Sequence, residues 1–207
     1  MSDVILDYHE HIVSYDRAEL VKRLDAALRP KRFAHVQRVE QMAIKLARLN
    51  GVDEEKASIA GLVHDYAKQR PDEDFIKTIQ DYKLDPELLN YGNAVWHGYV
   101  GWILIKNELG IQDFDILDAV KYHTIGAPYM SKLAQVVYMA DYIEVGRDFP
   151  GVDKAREITF ANLAEGVAYQ TFHTLDFLIN RHAAVFPKTI DTFNAWVPTS
   201  ELYRKDR

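Results

Sequence analysis

Apolar residues recur along this chain at spacings of three and four, the period of helices buried on one side. Asp16 predicts the N-cap of a helix running to about Leu28, with Leu20, Leu24, Ala27 and Leu28 on one side. Pro30 interrupts that run. Val39, Met42, Leu46 and Leu49 mark the next helix, and Asn50-Gly51 ends it. Asp53 caps a third, through Ala57, Ala60, Gly61 and His64. Pro71, Pro86 and Tyr91-Gly92-Asn93 punctuate a stretch of shorter helices. Further helices are predicted over 98–109, 113–122, 131–142, 153–162 and 165–181, with a last one near 189–196. No alternating strand pattern, internal repeat or low-complexity linker stands out. The pattern predicts an all-α fold with one domain over residues 16–207. Residues 1–15, including Tyr8-His9-Glu10-His11, read as an appendage to it.

Composition narrows the chemistry. The 207 residues are 48% hydrophobic and 27% charged, as expected of a folded globule. A chain of this length buries about 70% of its unfolded surface and needs no disulfide staple. With no cysteine there is no thiolate site and no cysteine nucleophile, so any metal must be held by imidazole and carboxylate. The net charge of −6 argues against broad nucleic-acid binding, which depends on neutralising phosphates. No apolar run approaches the ~18 residues that cross a bilayer, and the start lacks a signal-peptide pattern. The expectation is a cytoplasmic protein with neither membrane nor nucleic acid as partner.

Three inward-facing positions carry the candidate chemistry. His35 lies four residues before Val39 and seven before Met42, on the apolar stripe. His64-Asp65 ends an apolar helix whose small residues, Ala57, Ala60 and Gly61, let another helix approach closely. Asp141 continues the row Leu133, Val137 of an apolar helix, where a carboxylate needs a cation or strong donors. Singly, each fits a satisfied core group or a structural ion pair. Together they form an imidazole and carboxylate set suited to iron, manganese, zinc or magnesium. Such an ion activates water and offsets charge on a phosphoryl oxygen. His97 and His123 fit a phosphate contact, a general acid or a second metal. Arg32, Lys68 and Arg147 lie close in sequence to this set and suit a polyphosphate. His9, His11, His173 and His182 fit no constellation and read as surface or packing residues.

The order His35, His64-Asp65, Asp141 resembles the HD-domain metal phosphohydrolases. Longer blocks resemble the bacterial YqeK family within them. They are Arg32-Phe33-Ala34-His35-Val36, Ala60 through Lys68, Trp96-His97-Gly98, Tyr122 through Gly126, and Ala140 through Glu144 with Arg147 through Val152. With Val185-Phe186-Pro187 they span about residues 17–197. Gly98-Tyr99-Val100-Gly101 departs from the family's usual Ala-Pro-Val-Gly.

The resemblance implies a helical bundle with a metal site between helices and symmetrical cleavage of diadenosine tetraphosphate into two ADP. Attack by a metal-activated water on a central phosphorus would do this. It implies iron foremost, with manganese, cobalt or magnesium as alternatives, on His35, His64, Asp65 and Asp141. Substrate contacts would come from Arg32, Asp65, Tyr66, Ala67, Lys68, His97, His123, Thr124, Asp141, Arg147, Val185, Phe186 and Pro187. Asp65 would orient or deprotonate the water, Lys68 would stabilise the transition state, and His97 or His123 would protonate the leaving diphosphate. A homodimer is compatible with the chain. The rival expectations are a phosphohydrolase of another nucleotide and a nucleotide-binding sensor or adaptor with little turnover.

Overall fold

The computed structural model describes residues 4–8 and 12–204, so His9 and His11 lie outside the described residues. Eleven α-helices and one short 3-10 helix account for the regular structure, with no strand among the described residues. The helices are α1 (Arg17–Ala27), α2 (Pro30–Asn50), α3 (Glu54–Val63), α4 (Asp72–Asp81), α5 (Asn93–Tyr99) and α6 (Gly101–Glu108). They continue with α7 (Phe114–Tyr122), α8 (Lys132–Ile143), α9 (Val152–Ala161), α10 (Leu163–Asn180) and α11 (Pro187–Trp196).

Local chemistry sets most of the boundaries. Asp16, Asp53, Asp113 and Ser131 each accept a hydrogen bond from the backbone N–H three residues on, satisfying donors that a first helical turn leaves free. Pro30 opens α2 at its first position, where its missing N–H costs nothing. Gly51 closes that helix in the left-handed region. The single helix expected over 98–109 is instead two. Val100 breaks the run, and Gly101 lies so close to Ala67 that a Cβ there would stand 2.8 Å from the alanine methyl.

The long α2 lies against α3 and α8, and α7 packs on both α3 and α8. The close approach expected from the small residues of α3 is made by α2: a Cβ on Gly61 would meet the Glu40 Cα at 3.0 Å. One apolar cluster joins these helices through residues such as Val39, Leu62, Val120 and Val137. A second, with Ala67, Phe75, Trp96 and Phe186, supports α5. The described N-terminal residues rest on the bundle. Gln41 bonds both the N–H and the carbonyl of Val4, Tyr8 meets Ser58, and Tyr15 donates to Leu109. This packing leaves three helix C-termini, those of α3, α7 and α8, carrying His64, His123 and Asp141 into one buried space. Carbonyl-rich helix ends favour positive charge there.

Candidate metal centre

His35, from the second turn of α2, and His64, the C-cap of α3, point their Nε2 atoms at the same carboxylates. His35 Nε2 lies 3.1 Å from Asp141 Oδ1 and 3.6 Å from Asp65 Oδ2. His64 Nε2 lies 3.8 Å and 3.5 Å from the same two atoms. The other nitrogen of each ring faces an atom that can only accept. His35 Nδ1 donates to Glu144 Oε1 at 3.2 Å, and His64 Nδ1 to the Gly61 carbonyl at 2.7 Å. Both Nε2 atoms are buried without a hydrogen-bond partner. Rings pinned at Nδ1 with convergent, unsatisfied Nε2 atoms beside two carboxylates are the arrangement that holds a metal ion. His35, His64 and Asp141 lie within ligand reach of one another, and so do His64, Asp65 and His123. The residues fit the ion.

The charges say the same. Burial opposes ionisation of Asp141, but the nearby His35 and His64 rings and Arg147 outweigh it and hold the carboxyl far below its usual range. Burial likewise opposes charge on Asp65, and His64, His123 and His97 overcome it. Burial alone would lower His64, yet the two aspartates raise its proton affinity. A proton on that ring occupies the position a cation would take.

Asp65 faces a second group through its other oxygen. His97 Nε2 lies 3.3 Å from Asp65 Oδ1, His123 Nε2 lies 3.7 Å from it, and the two Nε2 atoms are 3.1 Å apart. Each of these rings also donates Nδ1–H back to its own helix, to Asn93 and Val120. Lys68 Nζ sits 3.2 Å from His97. Burial, with His123 and Lys68 adding to it, lowers His97 to about 3, so the free site holds it as neutral imidazole. Burial also lowers Lys68.

Arginines close the mouth. Arg32 donates to Asp65 Oδ2 at 2.5 Å, and Arg147 binds the Asp141 carboxylate and carbonyl. Thr124, beside His123, keeps a buried hydroxyl with no partner. The remaining expected contacts lie further out. Tyr66 turns its hydroxyl to Glu108 and Arg70, and Ala67 packs in the second apolar cluster. Val185, Phe186 and Pro187 join α5 through Phe186, which packs on Tyr91 and Tyr99, and no hydrogen bond links them to the histidine cluster.

Glu144 and Arg38 buttress His35, and the sequence pattern did not single them out. Arg38 donates to Glu144 Oε2 at 2.7 Å and so fixes the carboxylate that orients His35. The available signal is a matched spacing: Arg38 follows His35 by three residues, and Glu144 follows Asp141 by three.

Comparison with known proteins bears on this geometry directly. The HD domain family model matches residues 32–146, from Arg32 to the turn after α8. The chain is 41% identical over 179 residues to a protein of Bacillus subtilis (strain 168) named bis(5′-nucleosyl)-tetraphosphatase, symmetrical. That match covers 86% of this chain and 96% of the relative. A protein of the same name from Staphylococcus aureus (strain NCTC 8325 / PS 47) is 36% identical over 191 residues, covering 91% and 98%. A crystal structure from Clostridium acetobutylicum, described as a predicted HD superfamily hydrolase involved in NAD metabolism, superposes with a TM-score of 0.85 at 35% identity. It covers 90% of this chain and 99% of that one.

Proposed function

Because this chain belongs to the HD-domain family, and within it to the YqeK-type symmetrical tetraphosphatases, we propose that it hydrolyses diadenosine tetraphosphate symmetrically to two ADP. The observation that carries the chemistry is the pair of buried, partnerless Nε2 atoms of His35 and His64 beside Asp65 and Asp141. These four residues would hold the ion, iron foremost, with manganese, cobalt or magnesium also suited to the donors. When bound, the ion supplies Lewis acidity toward a phosphoryl oxygen and lowers the pKa of water.

The chain's own groups do the rest. Asp65, held ionised, has one oxygen toward the ion's position and the other toward His97 and His123. It is placed to orient the attacking water and accept its proton. Arg32, Lys68 and Arg147 gather positive charge around the carboxylates, where the central phosphates of the substrate add negative charge. His97 is neutral before substrate arrives. The incoming phosphates raise its proton affinity, and His97 or His123 would protonate the leaving diphosphate while Lys68 beside His97 stabilises the transition state. Thr124 offers its free hydroxyl to a phosphoryl oxygen.

We place the domain over residues 16–207, with 1–15 an appendage to it, and the protein in the cytoplasm. No described helix is long and apolar enough to cross a membrane. The deciding experiment is hydrolysis of diadenosine tetraphosphate under defined metals with products resolved. Two ADP are expected; AMP plus ATP would reject symmetric cleavage.

A further inference from the structure

The substrate read above carries a nucleoside at each end, and the histidine cluster deals only with the phosphates between them. Beside that cluster an aromatic cleft of about 490 Å³ opens between the end of α8, the turn after it and α10. Its walls include Tyr142, Phe149, Tyr169, His173 and Phe177, with Asn180 at the rim. The Tyr142 and Phe149 rings stand 4.7 Å apart, and those of Tyr169 and His173 stand 4.2 Å apart. Phe177 is 56% exposed, with the Arg181 guanidinium over its ring at 5.2 Å and lining the same cleft. Burial lowers His173, which keeps its ring neutral and able to stack.

The cleft is joined to the metal centre by covalent chain. Tyr142 follows Asp141 directly, and Phe149 lies two residues beyond the Arg147 that clamps Asp141. Arg147, which binds Asp141, lines one hollow with Phe149 and Pro150, and those two residues also line the aromatic cleft. On the other flank, α5 carries both His97 and Tyr99, and Tyr99 with Tyr91 packs on Phe186 of the Val185-Phe186-Pro187 loop. Aromatic side chains thus follow the Asp141–Arg147 segment and also accompany His97 on α5, two groups for a molecule with a base at each end.

We propose that the Tyr142–Phe149–His173 cleft is a nucleoside subsite, which stacks the base on the Asp141 side while the opposite nucleoside lies toward the Val185-Phe186-Pro187 loop. The subsite rests on the dinucleotide reading, so binding is tested apart from turnover. The probes are the analogue of diadenosine tetraphosphate with methylene between its two central phosphorus atoms, and inorganic tripolyphosphate. Titration calorimetry compares the wild-type chain with Phe149→Ala, Phe149→Trp and His173→Ala, each checked for unchanged helical circular dichroism.

Loss of one stacking partner weakens analogue binding about tenfold in Phe149→Ala and in His173→Ala, with Phe149→Trp near wild type and tripolyphosphate unaffected throughout. Equal weakening of both probes, or no change in analogue affinity in either alanine variant, overturns the subsite. Selective loss in the alanine variants with a wild-type chain that produces no ADP keeps the subsite and removes the activity. Two ADP from the wild-type chain with no selective loss in the variants keeps the activity and removes the subsite.

Discussion

His35 Nδ1 and Glu144 Oε1 lie 3.2 Å apart across the join of α2 and α8. That contact decides which face of the imidazole is left for the metal. Glu144 is nearly fully buried and is kept ionised against its burial by Arg38, the Gly146 N–H and His35. It therefore accepts from Nδ1 and leaves Nε2 on the side of Asp141 and Asp65.

Glu144→Gln retains the shape but removes the charge that raises the basicity of His35. Metal affinity is expected to fall about 10- to 100-fold with the helical fold intact. Competitive titration against a chelator measures this without recourse to turnover. Unchanged affinity would reduce Glu144 to a partner of Arg38.

Metal uptake depends on pH in a stated direction. The aspartates raise the affinity of His64 for a proton above the ordinary histidine value in the metal-free chain, and a metal must displace that proton. Affinity rises with pH through the raised pKa and levels off above it; below it, affinity falls by about tenfold per unit for one proton displaced. A flat profile around and above the ordinary histidine range would show that His64 is not a ligand.

Asp65→Ala removes together a proposed metal ligand and the group proposed to face the attacking water. Release of ADP is expected to fall by about 10³-fold or more while circular dichroism keeps its helical signal. Full activity in this variant would remove Asp65 from the reaction.

Gly61→Ala tests the helix contact beneath the site. Its methyl group would stand 3.0 Å from the Glu40 Cα, a backbone atom that cannot swing aside. A loss of about 1–3 kcal/mol is expected. At about 2–4 °C per kcal/mol, thermal unfolding reads it as a lower Tm. An unchanged Tm would mean that α2 and α3 can part without cost.

Helix positions were legible wherever a cap and an apolar stripe agreed, as at Asp16, Asp53, Asp113 and Ser131. The break at Val100 was not; beside it Gly101 meets Ala67, a contact between segments distant in sequence. The convergence of His35, His64, Asp65 and Asp141 was readable because buried imidazole and carboxylate on apolar faces demand a partner. Glu144 was not read, since a glutamate one turn past an aspartate on a helix end looks like any solvated residue until Arg38 is seen closing over it.

By itself, then, the order of residues determined the helical class, the helix caps, the absence of thiolate chemistry and the donor types available to a metal. These depend on near-neighbour spacing and on side-chain identity, both written along one dimension. Tertiary structure alone decided which nitrogen of each histidine is free, which carboxylate oxygen faces which ring, and that an aromatic cleft adjoins Asp141. Those properties arise where helices from distant parts of the chain meet, and helical periodicity constrains which face is buried but not what it is buried against.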